Sequence, residues 1–232
     1  GWLTRSRADA RVRPTPARIT LAPDFIRDKR QYQQDYSAML TIRNLCHNDI
    51  DSAIVLQSRV YPSISPFRQD QFENLLRLFP RGQFAAELNG KLVGIAISIV
   101  ILWERYSLHH TWASITNDGV FDTHDPDRGH TLYGAEIWLA PDERGHGIGH
   151  ALYEARRILC RSMNLKRIIA GGRLPGYTRY ASKMGPAEYA KRVIWGQFHD
   201  PALRFQLDEG FDYCGIFDGY LPSYHESAGY AS

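Results

Sequence analysis

The chain has 232 residues, 44% of them hydrophobic and 23% charged, with a formal charge of +3. That length suits one sizeable domain with or without an arm, and that charge is too small to point to nucleic acid as a partner. The longest apolar run, Leu92 to Trp103, falls short of the ~18 residues that cross a bilayer and contains Gly94 and Ser98. The first residues lack the apolar centre of a secretory signal. Three widely spaced cysteines, Cys46, Cys160 and Cys214, form no CxxC; an odd, scattered set argues against a disulfide framework and for a reducing compartment, by default the cytoplasm.

Residues 1–36 read as a basic arm. Arg5, Arg7, Arg11, Arg13 and Arg18 alternate with small residues and with Pro14, Pro16 and Pro23, without apolar periodicity, so a solvated, extended segment is expected, with partner docking as the alternative. The folded domain is expected over 37–232. Met39 to Leu45 alternates as a strand. Asn48 can cap a helix that turns Ile50, Ile54 and Tyr61 to one face. Ser65-Pro66 opens a second helix with Phe72, Leu75, Leu76 and Phe79 as its stripe. Gln83 to Leu88, the turn pair Asn89-Gly90 and Lys91 to Leu102 read as a β-hairpin. Glu104 to His130 reads as an insertion with little regular structure, and Thr131 to Ala140 as a strand. A glycine-rich turn follows, then a long helix on Ile148, Leu152, Ala155, Leu159 and Met163. Lys166 to Ala170 reads as a strand. Pro186 to Gly196 and Asp200-Pro201 to Gly210 read as short helices with their start and stop signals in place. Phe211 to Phe217 reads as a further strand. The order β-α-α-β-β-β-α-β-α-α-β makes a mixed sheet covered by helices, an α+β or layered α/β design.

The chemistry concentrates at 136–150. A strand enters a turn carrying Gly145, Gly147 and Gly149, and a helix starts at once. The first amides of a helix lack intrahelical acceptors, and the helix dipole favours negative charge beside them. The segment Arg144 to His150 is therefore expected to bind phosphate or pyrophosphate. A P-loop would need a lysine after the glycines. A Rossmann site would need GxGxxG and an acidic residue ~20 positions on, where this chain has Lys166-Arg-Ile-Ile-Ala-Gly171. Neither pattern is present.

What is present is R-x-x-G-x-G at Arg144, Gly147 and Gly149, followed by His-Ala-Leu-Tyr. This resembles the acyl-CoA loop of the GNAT N-acetyltransferase superfamily, over a stretch from about 40 to 218. Three longer strings resemble the GNAT domain fused ahead of nitrilase-type carbon-nitrogen hydrolases: Gly171-Gly-Arg-Leu-Pro-Gly-Tyr-Thr-Arg-Tyr180, the run from Asp200 to Phe211, and the run from His109 to Gly119. The resemblance implies a mostly antiparallel GNAT-like sheet and an acyl-CoA-dependent N-acyltransferase. Its co-substrate would be acetyl-CoA or another acyl-CoA, its acceptor a small-molecule or protein amine, and no metal or membrane would take part. Arg144, Gly145, His146, Gly147, Ile148, Gly149 and His150 would hold the CoA pyrophosphate, with a charge-assisted contact from Arg144. Leu139 falls where the strand pairs with the pantetheine arm, and Glu136 where many members keep a carboxylate facing the acceptor. The tyrosine that often serves as general acid is Gln206 here. That departure supports an alternative reading, a non-catalytic CoA-binding module associated with a hydrolase. The related fold has one more strand, here from Glu226 onward, so the chain is expected to be part of a longer polypeptide or to complete its edge through another subunit, as in a homodimer.

A lysine-like amine has a pKa of ~10.4, so a base must remove its proton at neutral pH. Glu136, acting through water, is the first candidate. Tyr177 and Tyr180 come next; they either pack or line the acceptor site, and the surrounding segment 173–199 is expected to shape that pocket. Other features carry weaker signals. His146 and His150, four apart, lack the adjacent glutamate of a zinc protease pattern and read as polar neighbours of a phosphate. Asp122, His124, Asp125 and His130 read as a solvated loop before they read as metal ligands. Cys214 reads as a small apolar residue buried in a strand.

Overall fold

The computed structural model describes residues 40–106 and 110–232; the expected arm at 1–36 lies outside them, as do Met39 and His109. Five strands form one sheet in the order β1 (Leu40–Asn44), β2 (Gln83–Leu88), β3 (Lys91–Ile101), β4 (Thr131–Leu139), β5 (Arg167–Ile169). The first four pair antiparallel and β5 lies parallel to β4. This is the GNAT-like α+β sheet expected. Asn89 and Gly90 both take positive φ, 52° and 76°, the tight primed turn that the right-handed twist of a hairpin selects.

Six helices are found among the described residues: α1 (Ile50–Val60), α2 (Gln69–Leu78), α3 (Trp112–Thr116), α4 (Ile148–Ser162), α5 (Pro186–Ile194) and α6 (Pro201–Asp208). Two starts differ from expectation. Asp49, not Asn48, stands at the N-cap of α1, because its carboxylate is already held by Arg43 at 2.7 Å and by the Cys46 amide at 2.8 Å. Within α1, Ile50, Ala53, Leu56 and Gln57 are buried and Ile54 only half so. Helix α2 begins at Gln69 rather than at Pro66. Residues 65–68 stay outside the helix because Phe67 is drawn inward: its amide donates to Gln57 Oε1 at 2.7 Å, and its ring meets Trp138 and Phe72.

The expected strand Phe211–Phe217 does not form. Strand β5 is only three residues long, and its continuation at Gly172 exchanges two backbone bonds with Ser232. Phe217 pairs with Ala231 in an isolated bridge, while Tyr213 and Ile216 pack on a second core built from α5, α6 and the loop before them. Cys214 is accordingly exposed. That second core, around Leu174, Tyr189, Val193 and Leu203, is organised by Asp200. Its buried carboxylate caps α6 and also accepts from the Gly176 amide and the Tyr189 hydroxyl, each at 2.9 Å.

The sheet is interrupted by a bulge in β4. Between β3 and β4 the pairing steps from Ile97↔Glu136 to Ser98↔Gly134, so Ala135 is an extra residue that kinks the strand. Arg156 of α4, fully buried, fills the kink; it donates to the carbonyls of Ile97 (2.8 Å) and Glu136 and to Ser98 Oγ (3.0 Å). Arg156→Met would strand those acceptors in the core, at a cost of about 3 kcal/mol, so calorimetry should show the thermal midpoint falling by roughly 6–12 °C. An unchanged midpoint would mean the bulge does not depend on this guanidinium.

Candidate functional site

Two features of β4 and α4 define the site. The first is a free edge. Strand β4 pairs with β3 over its whole length but with β5 only at Thr131, Leu132 and Tyr133, so among the described residues no strand lies along Gly134–Leu139 on that side. Trp112 Nε1 and Arg156 meet the carbonyls of Ala135 and Glu136; Ile137 to Leu139 remain available to an extended, amide-bearing chain. The second is the turn at the start of α4. Gly145 and Gly147 have φ of 83° and 82°, a conformation that side chains rarely adopt. A Cβ at either would meet nothing within 4 Å, so these glycines are required by the backbone path and not by crowding. The first intrahelical bond runs from the Ala151 amide to the Gly147 carbonyl, 3.0 Å. The amides of Ile148, Gly149 and His150 precede it and so have no intrahelical acceptor. Such an array can receive an anion.

Of the other residues expected at the turn, Arg144 and His150 are exposed, His146 is half-buried and Ile148 is buried. His150 turns its Nδ1 to Glu209, 3.1 Å away, and Arg157 holds the same carboxylate at 2.8 Å. Leu139 lies beside the turn: a Cβ on Gly149 would stand 3.4 Å from Leu139 Cδ1 and 2.7 Å from Phe205 Cζ. Gly149 thus lets α6 close over the head of α4.

From the turn β4 leads to a recess lined by Glu136, Tyr61, Arg173, Phe205, Gln206 and Tyr224. Glu136 is three strand steps from Leu139, ~10 Å. Successive side chains of a strand point to opposite faces, and β4 keeps that alternation here. Leu139 lies on the α4 side, near Ile148, and Glu136 lies on the face of Trp138, whose Nε1 donates to its carboxylate at 2.9 Å. Phe67 and Phe72 close that face over Trp138, while Glu136 stands half-buried at the recess. Burial pushes the Glu136 carboxyl up to about 7, against the opposing pull of the Trp138 hydrogen bond and of Arg173 and Arg156. A carboxyl so placed takes and gives a proton near neutrality.

Tyr177 and Tyr180 are not brought to this recess. Tyr177 is buried in the second core, with its hydroxyl 3.3 Å from the Met184 carbonyl and its ring against Tyr189 and Tyr230. Tyr180 stacks on Phe198 at 4.3 Å. A side chain that touches no reacting group should change turnover little, so Tyr177→Phe is expected to keep the rate within ~3-fold, whereas loss of a proton-transferring group costs ~10² or more. A drop of the larger size in steady-state assays would restore Tyr177 to the chemistry. The recess has tyrosines of its own, Tyr61 and Tyr224, which sequence reasoning did not reach. Burial raises Tyr61 to about 12 and Tyr224 further. Among the described residues no group of three or more His, Cys, Asp or Glu is placed to hold a metal ion; His124 accepts from the Val100 amide and stacks on Phe79. No helix among the described residues is long and apolar enough to cross a membrane.

Known proteins share this architecture. A model described as the Acetyltransferase (GNAT) family matches residues 50–177. The protein named "Uncharacterized N-acetyltransferase YkwB" of Bacillus subtilis (strain 168) is 32% identical over 207 residues, covering 88% of this chain and 89% of that protein. "Probable hydrolase YhcX" of the same organism is 42% identical over 197 residues, but this chain spans only 38% of its length. Among solved structures, the loading GNATL domain of CurA from Lyngbya majuscula superposes with a TM-score of 0.71 at 21% identity, over 83% of this chain and 94% of that one. The GphF GNAT-like decarboxylase in complex with isobutyryl-CoA does so with 0.67 at 21%, over 82% and 95%. At that identity the likeness is one of fold.

Proposed function

The chain belongs to the GNAT acetyltransferase family, and we propose that it transfers an acyl group, in the simplest case acetyl, from a CoA thioester to a primary amine. The observation that carries this reading is the free edge of β4, which lies between a glycine turn at a helix start and a recess lined by Glu136, whose carboxyl pKa is raised by burial. The CoA pyrophosphate would lie on the amides at 145–150, with Arg144 beside it, and the pantetheine amides along Ile137–Leu139. The thioester then reaches the recess, where a strand amide polarises its carbonyl and the two substrates are held together. The amine gives a proton to Glu136, directly or through water. Its nitrogen attacks the thioester carbon, the C–N bond forms, the C–S bond breaks, and the sulfur leaves as the CoA thiol after taking up a proton.

A second reading, a CoA-binding module without turnover, is favoured by one residue: Gln206 lines the recess where the family resemblance puts a tyrosine acid. The part shared with a longer protein named as a hydrolase supports the further proposal that the chain works beside a hydrolase domain. The deciding experiment incubates the chain with acetyl-CoA and a mixture of primary amines, reading free thiol by colour and acylated amine by mass. Thiol release matched by acylated product is expected. Tight CoA binding by calorimetry without release would establish the second reading instead, and neither binding nor release would defeat both.

A further inference from the structure

The recess contains a cation held far more carefully than a surface pairing requires. Arg173 follows Gly171 and Gly172, and the lack of side chains there lets Tyr220 press on Gly171 and Gln206 on Gly172, where a Cβ would overlap both. Its guanidinium carbon lies 4.5 Å from the ring centre of Tyr61 and 4.8 Å from that of Tyr224. It donates to the Tyr61 hydroxyl at 2.8 Å and to Glu226 at 2.5 Å. Those bonds occupy two of the five N–H donors that a guanidinium carries, and its others meet no acceptor among the described residues. The bland account is that Arg173 pins the C-terminal segment through Glu226. Yet the Glu226 side chain is 42% exposed, and such a pair contributes little. It gives no reason to set the arginine against two rings in the wall of the recess that holds Glu136. The two rings stand 5.3 Å apart at 88° to each other, so both lie to one side of the guanidinium, and its remaining N–H donors are left for a carboxylate, which binds a guanidinium edge with two hydrogen bonds.

We propose that the acceptor amine also carries a carboxylate, which Arg173 binds while the nitrogen faces Glu136; the acceptor is then a free amino acid. This rests on the acyl-transfer reading and narrows its substrate class. The charges of a zwitterion match the recess, with the ammonium beside Glu136 and the carboxylate on Arg173. In the reaction one ammonium proton passes to Glu136 and on to water, the lone pair attacks the thioester, and the second proton released as the amide forms is taken up by the sulfur. The products are an N-acylated amino acid and the CoA thiol.

The test uses the whole chain and substrate pairs differing only in the carboxylate: glycine and methylamine, alanine and ethylamine, phenylalanine and phenethylamine. With acetyl-CoA, kcat/KM for the amino acid should exceed that for its partner by about 30-fold or more, the size expected for charged hydrogen bonds made to one group and not the other. Arg173→Met should bring the ratio toward one while leaving the KM for acetyl-CoA within ~3-fold, and Arg173→Lys should restore part of the preference. Equal rates within each pair would overturn the proposal and leave acyl transfer standing. Faster transfer of succinyl or malonyl than of acetyl to ethylamine, lost in Arg173→Met, would also overturn it by assigning the arginine to the acyl chain. No thiol release with any pair would overturn the transfer reading and this inference together. The substrate pairs are read on the parent chain, so the test holds even where a variant fails to fold.

Discussion

Gly147→Asp should weaken CoA binding by at least ~100-fold, for two reasons that a companion variant separates. At φ 82° any side chain pays the left-handed strain, about 1–2 kcal/mol, which the turn sheds by relaxing in the free chain and must take up again when CoA binds. Aspartate adds a negative charge at amides that the proposal assigns to a pyrophosphate, and like charges a few ångströms apart cost a further 1–4 kcal/mol or so. A Cβ meets nothing within 4 Å here, so a steric clash inside the protein does not contribute. Gly147→Ala carries the strain alone and should lose about 10-fold. Calorimetric titration with CoA reads both. If the aspartate variant binds no more weakly than the alanine variant, the turn does not hold the phosphates.

The second large effect is expected at Glu136→Gln. Glutamine keeps the shape and the contact with Trp138 Nε1 but cannot take a proton. Loss of a general base costs ~10²–10⁴, so turnover at pH 7 should fall by ~30-fold or more, and raising the pH toward the amine's own pKa should recover much of it. The parent should show kcat/KM rising with pH through about 7, where this carboxyl ionises. Stability runs the other way. A carboxyl raised from 4.5 to about 7 favours the folded state below pH 4.5, and that contribution is lost as pH rises through 7. The glutamine variant should therefore gain stability relative to the parent at pH 8 but not at pH 4. A variant with the parent's rate and pH profile would leave Glu136 as structure.

Much of this was legible in the sequence wherever a short stretch carries its own reason to fold. Asn89-Gly90 forces a hairpin and the three-and-four spacing from Ile148 forces a helix, so β2, β3 and α4 fall where expected. The turn at 144–150 was legible for the same reason: its glycines are dictated by a local backbone path. Phe211–Phe217 was not, since a strand exists only where a neighbour offers its backbone, and beside β5 that neighbour is the segment at Ala231 and Ser232. The recess was the least legible part. Glu136 and Gln206 stood out against the family resemblance, but Tyr61, Arg173 and Tyr224 meet across more than a hundred residues of chain. Arg173 left one trace, its place directly after a glycine pair. Arg156 left another, a charged residue on the buried stripe of α4. Tyr177 and Tyr180 misled because aromatic residues beside glycine and proline suit a binding loop and a small core equally well, and only packing decides between them.

A crystal structure of the chain with CoA bound tests the central claim most directly. The pyrophosphate is expected on the amides between Gly145 and His150, the pantetheine amides paired with β4 between Ile137 and Leu139, and the sulfur at the mouth of the recess beside Glu136. CoA bound elsewhere, or lying along β4 with its sulfur turned away from Glu136, would contradict that claim.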